Sequence, residues 1–449
     1  LQTASVSPGD YAINTTFYVW AAFFNVVLNY GMETAFFSFF SHSKEKGKVF
    51  STAFITLSVT TVFFFILVFL FRDYIFGLLD LQPFYFNILL GILALDTLVV
   101  VPFAWLRASN KPIKFAGVKI INIAIVVLLN FYFLWWVQKF PGSTPQIILD
   151  NYSDADKVGY IFLANLAASA VTFLILLPYF FRTKIDFSFP LLKKMWHYGW
   201  PVMVAGLAFV INENLDKLLL KDMISDEIMG AYAACYKLAV FMTIFVQAFK
   251  LGAEPFFFNQ AKAENAKNTY SLILTYFVIV GSFIFLFLVA FVDFFKELII
   301  RDSDYWVALS IVPIVLLANL FLGIYHNLSV WYKLTDKTRM GMYISIFGAV
   351  ITVLFNIILI PVLGFIAAAW ATLAAYGSMA VISYFLGRKY YPVPYDVKKI
   401  TFYLLLSIGF SIISFGFFRE NYIAGSGFVL GFLIIAFFNE RKQLKQIIS

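Results

Sequence analysis

The chain has 449 residues, of which 62% are apolar, 20% aromatic and only 13% charged. A soluble protein of this composition would have too few polar side chains to cover its surface, so the composition indicates a polytopic membrane protein. The net charge of +8 does not indicate nucleic-acid binding, because the basic residues form short clusters between apolar segments, where juxtamembrane charge is common.

The first residues, LQTASVSPGDY, are typical of a loop and not of a signal peptide, so we expect a further helix to precede Leu1. Thirteen apolar segments follow, each long enough to cross a bilayer. The predicted spans are 11–40, 49–71, 84–106, 113–137, 158–181, 197–220, 228–254, 268–292, 305–332, 340–360, 364–387, 399–418 and 422–438. With the preceding helix, the complete protein would have fourteen.

Basic residues fix an orientation for these spans. Most of the 33 lysines and arginines fall in alternate connections, beginning with the cluster at Lys44, Lys46 and Lys48. Because cytoplasmic loops are enriched in basic residues, this set of connections is predicted to be cytoplasmic. We therefore expect a multi-pass protein of the cytoplasmic (inner) membrane with a cytoplasmic C-terminus.

An internal repeat predicts the domain organisation. Shifting the chain by 221 residues places GMETAFF from Gly31 on GAEPFFF from Gly252, and a shift of 226 places Trp105 on Trp331. Because an even number of helices separates equivalent positions in the two copies, both copies enter the membrane in the same direction. They therefore form a parallel pseudo-twofold repeat. The prediction is an N-terminal lobe (1–184), a C-terminal lobe (185–390), and two additional helices with a tail (391–449).

Several stretches carry a family resemblance. The Tyr-Gly-Trp-Pro step at 198–201, NENLDKLLL at 212–220, Gly230 with Tyr232, and FKLGAEPFFFNQAKAENAKNTY at 249–270 resemble the start of the second lobe of polysaccharide flippases. SPGDYAINTTFYVWAAFFNVVLNYGMETAFF at 7–37 resembles the loop and second helix of the same proteins, which belong to the multidrug/oligosaccharidyl-lipid/polysaccharide exporter superfamily.

The resemblance implies an all-α polytopic fold, with two six-helix lobes around a central cavity and two extra C-terminal helices. It also implies that the first helix is missing from this chain. One departure is Ser38, which stands where family members often carry a cation, and this argues against an anion contact at that position.

Polar residues recur on one face of the first span. They are Asn14, Tyr18, Asn25, Asn29 and Glu33, and helical steps of four, seven and eleven return to nearly the same angle. One interpretation is a seam of hydrogen bonds between helices. The other, which the number of polar groups favours, is the lining of a substrate cavity containing Asn25 and Asn29.

The repeat-related helix carries a comparable face formed by Thr243, Gln247, Lys250 and Glu254. Lys250 and Glu254 are four residues apart and could neutralise each other as a structural pair. Glu213 and Lys217 have the same spacing, with Asp216 beside them. They could form a self-contained salt bridge, or Lys217 could contact a substrate phosphate while an acid takes a coupling ion.

Lys119 has no acidic residue three or four positions away, and Asn122 and Asn130 lie on roughly its helical face. An unpaired cation in a membrane span is hard to explain as structure, so Lys119 is predicted to contact a diphosphate, with Asn122 beside it. Lys237 is similar, although it could instead reach the membrane surface.

Arg107 stands at the cytoplasmic end of its span and is interpreted as a positive-inside anchor. Asp96, eleven residues earlier on the same face, is an unusual intramembrane acid and a possible protonation site. Glu33, Asp96, Asp216 and Glu254 are together the predicted sites of coupling to a proton or sodium ion.

Signatures of an enzyme are weak. The three histidines are scattered, and no HExxH, cysteine cluster or phosphate-binding loop occurs. We therefore predict no catalytic residue, no metal ligand and no cofactor. The sole cysteine, Cys235, lies within a span, so no disulfide can form within the chain.

The resulting hypothesis is a flippase that moves a polyprenyl-diphosphate-linked glycan across the cytoplasmic membrane for surface polysaccharide synthesis, by alternating access. Its partners would be that lipid-linked glycan, the membrane lipids and a proton or sodium ion. A cation-coupled multidrug exporter of the same superfamily is the first alternative, and a membrane glycan polymerase is the second. A scaffold of a glycan-assembly complex is a further one.

Overall fold

The computed structural model describes residues 2–153, 156–181, 186–261, 263–335, 337 and 339–448, without the side chains of 42, 254, 255, 258, 259 and 442–448. Within these ranges the regular structure is helical and no strand occurs. The all-α class predicted from the sequence is therefore confirmed. The chain divides into two compact units, Leu1–Val210 and Ile211–Ser449. The predicted lobe boundary at 184 lies outside the described residues.

Unit 1 is built from the first half of the chain. Its helices are α1 (Pro8–Asn29), α2 (Met32–His42), α3 (Lys46–Leu70), α4 (Arg72–Leu79), α5 (Pro83–Ala108), α6 (Pro112–Phe131), α7 (Val137–Lys139), α8 (Gln146–Leu149), α9 (Lys157–Phe180) and the first part of α10 (Phe189–Met223). Short 3₁₀ turns occupy Gln2–Ala4 and Pro141–Ser143, and a π-helical turn occupies Tyr132–Trp136.

Unit 2 begins inside α10. It continues with α11 (Asp226–Tyr236), α12 (Val240–Gln260), α13 (Ala266–Ala290), α14 (Val292–Ile299), α15 (Val312–Leu328), α16 (Val330–Leu334), α17 (Arg339–Leu363), α18 (Ile366–Tyr390), α19 (Val397–Phe417) and α20 (Tyr422–Ile448). Two 3₁₀ segments, Lys237–Ala239 and Ser303–Ile311, extend α11 and precede α15.

Twelve helical segments of the described chain are long and apolar enough to cross a membrane. The sequence predicted thirteen spans, and the difference is the segment at 197–220, which lies within α10. Glu213, Asp216 and Lys217 fall close together in that helix, and charged residues are strongly unfavourable in the hydrocarbon region. Its length of 35 residues nevertheless exceeds what a bilayer requires.

The predicted first span, 11–40, is two helices with a break between them. α1 ends at Asn29, and Tyr30 and Gly31 adopt left-handed conformations with φ of 34° and 75°. A Cβ atom on Gly31 would overlap the backbone carbonyl of Gly199 on α10. The break therefore arises from a close backbone packing that only glycine permits at this position.

Repeat-related residues have similar surroundings in the two units. The Trp105 ring lies 5.4 Å from that of Tyr179 in unit 1, and the Trp331 ring lies 5.6 Å from that of Tyr390 in unit 2. In both units a lysine covers this aromatic pair, with Lys111 Nζ 4.5 Å from the Trp105 ring centre. In unit 2, Lys337 Nζ is 3.6 Å from the Tyr390 ring centre.

The last two long helices, α19 and α20, pack on α13. Their shared core is apolar and includes Ile279, Leu286, Val429 and Phe432. At one end, α19 and α20 are joined by the buried Glu440 carboxylate. It accepts hydrogen bonds from Lys399 Nζ at 2.6 Å and from the Tyr403 hydroxyl at 2.8 Å.

The opposite end of the pair is held by a second charged cluster. Asp293 on α14 accepts hydrogen bonds from Lys296 Nζ at 2.6 Å and from Arg419 Nη2 at 3.2 Å, and Lys296 also pairs with Glu420 at 3.3 Å. Cys235 lies elsewhere in unit 2, on α11. It is fully buried, and its Sγ contacts the carbonyl oxygen of Tyr305 at 3.2 Å.

Candidate functional site: a polar cavity in unit 1

Unit 1 contains a cavity of about 470 Å³ whose walls come from α1, α2, α5, α6 and α9. The polar and charged groups of its lining are Tyr18, Asn25, Asn29, Glu33, Asp96, Thr97, Arg107, Lys119, Asn122, Asn165, Ser169 and Thr172. Aromatic and aliphatic side chains complete the walls, among them Phe17, Phe103 and Phe115. A pocket of this polarity inside a membrane helix bundle is unusual, since polar groups there are costly and tend to mark transport pathways.

The cavity brings together many of the residues that the sequence singled out. Asn25 and Asn29 lie on α1, Glu33 on α2, Asp96 on α5, and Lys119 with Asn122 on α6. Asn14, from the same predicted face of α1, is buried, and its side-chain oxygen has no hydrogen-bond partner in the described part of the chain. The polar face therefore lines a cavity over part of its length and enters the packed interior at Asn14.

Arg107 and Glu33 form an ion pair in this cavity. Arg107 Nη1 lies 3.3 Å from Glu33 Oε1, and the two side chains are 45% and 36% exposed. The guanidinium also lies 5.7 Å from the Phe37 ring centre and 5.9 Å from that of Phe115, at distances typical of cation–π contacts. The interpretation of Arg107 as a simple juxtamembrane anchor is incomplete, because the side chain is part of the polar cavity.

Asp96 and Lys119 supply a second acid and a second cation. Asp96 accepts a hydrogen bond from Ser169 at 2.8 Å. Lys119 Nζ lies 4.4 Å from the Phe103 ring centre, and among the described residues no carboxylate lies within ion-pair distance of it. An ammonium group that lines a cavity and lies against an aromatic ring can still bind a ligand oxygen through its N–H donors.

Side chains from α9 complete the hydrogen-bonding surface. The Asn122 amide donates to Thr172 at 3.0 Å, and the Asn165 amide donates to the Tyr18 hydroxyl at 2.5 Å. The sequence reading missed Asn165, Ser169 and Thr172. Their spacing of four and three residues was an available signal, because it places all of them on one helical face.

The charged residues predicted in unit 2 belong to a different arrangement. Lys217 Nζ bonds the Asp216 carboxylate at 3.1 Å and the backbone oxygen of Glu213, and it lies 4.1 Å from the centre of the Tyr236 ring. Asp216 also accepts from the Tyr232 hydroxyl at 2.8 Å. Asp216 and Lys217 are both buried, so these two predicted site residues satisfy each other within unit 2.

The Glu213 carboxylate is bound by tyrosines and not by Lys217. It accepts hydrogen bonds from the Tyr376 hydroxyl on α18 and from the Tyr236 hydroxyl at 3.4 Å. Lys237 and Lys250 are partly buried, Lys237 between α11 and α12 and Lys250 on α12. The side chain of Glu254 lies outside the described residues. In the part of the chain that the structure describes, no three acidic, histidine or cysteine residues are placed to hold a metal ion.

Solved structures with this fold are known. An inward-closed structure of the lipid II flippase MurJ matches with a TM-score of 0.71 and 16% identity, covering 98% of this chain and 94% of that chain. An inward-facing multidrug resistance MATE family transporter of the MOP superfamily matches with a TM-score of 0.67 and 12% identity, covering 86% of this chain and 91% of that chain. An outward-facing structure of a MATE family transporter matches with a TM-score of 0.60 and 14% identity, covering 84% of this chain and 87% of that chain. No curated protein matches the chain.

The fold is thus the one shared by the MurJ flippase and these MATE family transporters. With twelve candidate spans in its described residues, the chain is a multi-pass membrane protein. The profile described as "Polysaccharide biosynthesis protein" matches residues 1–259, more than half of the chain, and the MatE profile matches residues 201–358. The chain belongs to the polysaccharide biosynthesis protein family. The resemblance seen in the sequence is confirmed.

Proposed function

We propose that the protein flips a polyprenyl-diphosphate-linked oligosaccharide across the cytoplasmic membrane for surface polysaccharide synthesis, by alternating access. The observation that carries the proposal is the cavity of unit 1, where Lys119 and Arg107 stand among amide and hydroxyl side chains. A diphosphate headgroup requires cations, and the sugar hydroxyls require donors and acceptors of this kind. The polyprenyl chain can remain in the lipid.

The family and the fold support this choice of substrate class. The family description is "Polysaccharide biosynthesis protein", and one protein of the same fold is a lipid II flippase. We further propose the orientation given by the basic connections, with a cytoplasmic C-terminus. A proton or sodium ion would be coupled at one or more of Glu33, Asp96, Asp216 and Glu254.

A cation-coupled multidrug exporter is the second proposal. The MatE profile matches residues 201–358, and the cavity combines Glu33 and Asp96 with the aromatic rings of Phe17 and Phe103. Acids beside aromatic surfaces suit cationic amphipathic molecules. The two proposals predict opposite roles for Lys119, because a cation in the cavity favours an anionic headgroup and repels a cationic drug.

The test is mass spectrometry of polyprenyl-linked glycans from a strain that lacks the protein. The strain is complemented with the wild type, Lys119→Met, Lys119→Arg or Lys114→Met. Lys114 is a matched control, because it is an exposed lysine of α6 that does not line the cavity. We expect a lipid-linked oligosaccharide of normal length to accumulate without the protein and with Lys119→Met, and to disappear with the wild type and Lys114→Met.

Two results would overturn the flippase proposal. An unchanged pool of lipid-linked glycans in the deletion strain would show that no such substrate depends on this protein. Full complementation by Lys119→Met would show that the Lys119 cation, on which the proposal rests, has no role. Export of a cationic dye that Lys119→Met leaves intact or increases would support the drug-exporter proposal instead.

A further inference from the structure

The ion pair between Glu33 and Arg107 faces the cavity in which the substrate headgroup is proposed to bind. Its Nη1–Oε1 distance is 3.3 Å, and neither side chain is buried. A guanidinium binds carboxylates and phosphates through the same planar set of N–H donors. The Glu33 carboxylate therefore lies against a guanidinium nitrogen that a phosphate group in the cavity would also use.

Aromatic rings hold the guanidinium independently of the carboxylate. The Arg107 guanidinium carbon lies near the Phe37 ring of α2 and the Phe115 ring of α6, at 5.7 Å and 5.9 Å from their centres. Contacts of this kind orient a guanidinium over an aromatic face while leaving its edge available to an anion. Arg107 can consequently keep its position when Glu33 is replaced by another anion.

Glu33 belongs to a short helix separated from α1. It lies in the first turn of α2, directly after the left-handed residues Tyr30 and Gly31, and its backbone N–H donates to Asn29 Oδ1 at 3.2 Å. The first turn of a helix is a favourable place for a carboxylate even without a salt bridge, because free N–H groups and the helix dipole lie there. Losing Arg107 therefore does not leave Glu33 without electrostatic support.

We propose that Glu33 is an internal substitute for the substrate phosphate. Its carboxylate binds Arg107 when no headgroup is bound and is displaced when the headgroup arrives. This inference rests on the proposed function, since it needs an anionic headgroup. The carboxylate would prevent Arg107 from holding phosphate tightly, so the headgroup can leave after transport. Asp96 is not placed to compete for Arg107, because it accepts its hydrogen bond from Ser169 while Arg107 pairs with Glu33.

The experiment measures binding of farnesyl diphosphate to the purified full chain in detergent by isothermal titration calorimetry, with farnesol as the ligand lacking a diphosphate. The variants are Glu33→Gln, Glu33→Asp, Arg107→Met, Asp96→Asn, Lys119→Met and the combinations of Glu33→Gln and Asp96→Asn with Arg107→Met. Removal of the competing carboxylate in Glu33→Gln is expected to tighten diphosphate binding about fivefold, as for a partly exposed ion pair.

The Arg107→Met background separates competition from a general change in charge. We expect the gain from Glu33→Gln to vanish in that background, whereas any gain from Asp96→Asn persists. Glu33→Asp keeps the charge and shortens the side chain by one methylene. It is expected to tighten binding about twofold, and it serves as the second variant if Glu33→Gln fails to fold.

Equal or weaker binding by both Glu33 variants, or a gain from Glu33→Gln that persists with Arg107→Met, would overturn the inference. If the wild type binds farnesyl diphosphate and Lys119→Met weakens that binding, the proposed function survives this failure. If neither the wild type nor any variant distinguishes farnesyl diphosphate from farnesol, the cavity has no diphosphate site. The inference about Glu33 and the flippase proposal then both fail.

Discussion

Asp293 is the centre of a buried charge cluster, and removing its charge should measurably lower the stability of the protein. Its side chain is 4% exposed and accepts hydrogen bonds from Lys296, which is 6% exposed, and from Arg419. In Asp293→Asn, the buried Lys296 ammonium loses a full negative charge at 2.6 Å, and the carboxylate that still pairs with it among the described residues is the exposed Glu420. Breaking a buried ion pair in this way costs about 3–5 kcal/mol, so we expect Asp293→Asn to lower the free energy of unfolding by that order.

The measurement is chemical unfolding of the purified protein in detergent, carried out as a double-mutant cycle with Lys296→Met. The double variant removes both buried charges and leaves only the partly exposed Arg419 without its Asp293 partner, so its cost should be at least about 2 kcal/mol smaller than the sum of the single costs. Arg419→Gln, which removes a more exposed partner, should cost about 1 kcal/mol or less. A cost below about 1 kcal/mol for Asp293→Asn, or additive single costs, would refute the reasoning.

The same cluster predicts a pH dependence. Burial alone would raise the pKa of Asp293, but hydrogen bonds from Lys296 and Arg419 outweigh it and hold that pKa below its usual value. Burial would lower the pKa of Lys296, but Asp293 and Glu420 raise it overall. The contribution of Asp293 is therefore present above an unfolded pKa of about 3.9 and is lost as the pH falls through the lowered folded value. The stability contribution of Lys296 is present below its unfolded pKa of about 10.4 and is lost as the pH rises through its raised folded-state pKa. The cost of Asp293→Asn should thus be constant between about pH 5 and 9.

Two further substitutions test other features of the fold. Gly31→Ala should destabilise the protein by more than about 2 kcal/mol in thermal or chemical unfolding, because its Cβ would meet the Gly199 backbone and φ is 75°. Gly77→Ala, where a Cβ meets no atom within 4 Å, is the control, and an equal effect of both would contradict the packing argument. Tyr376→Phe removes a hydrogen bond to the Glu213 carboxylate and should cost about 1.5–3 kcal/mol. An unchanged unfolding midpoint would show that Glu213 finds another donor.

The class of fold and much of the cavity could be read from the sequence because they depend on local pattern. Apolar segments of bilayer length predict helices, and the helical spacing of the polar residues on α1 predicts a cavity lining that includes Asn25 and Asn29. Lys119 was singled out because no acidic residue lies three or four positions away, and Asn122 because it shares roughly the same helical face. The side chains of α9 could have been found by the same spacing rule.

Features that depend on distant contacts could not be predicted. The break after Asn29 requires the backbone of Gly199, which is far away in the sequence, so residues 11–40 appeared as one helix. The pairing of Arg107 with Glu33 joins α5 to α2. At 213–217, the i,i+4 spacing suggested a bond between the Glu213 and Lys217 side chains, but three tyrosines from other parts of unit 2 offer competing hydrogen bonds. Lys217 then bonds to its neighbour Asp216.

The buried environment of Cys235 has a practical consequence. It is the chain's sole cysteine, and its sulfur is closed off from reagents by the packing of α11 against the segment containing Tyr305. Thiol-specific labels should leave the native chain unmodified, so new cysteines can be introduced one at a time without first removing it. Comparing membrane-impermeant maleimide added to intact cells with maleimide added to inverted vesicles would then assign each loop to a side. The same single-cysteine proteins would carry spectroscopic probes for following the transport cycle.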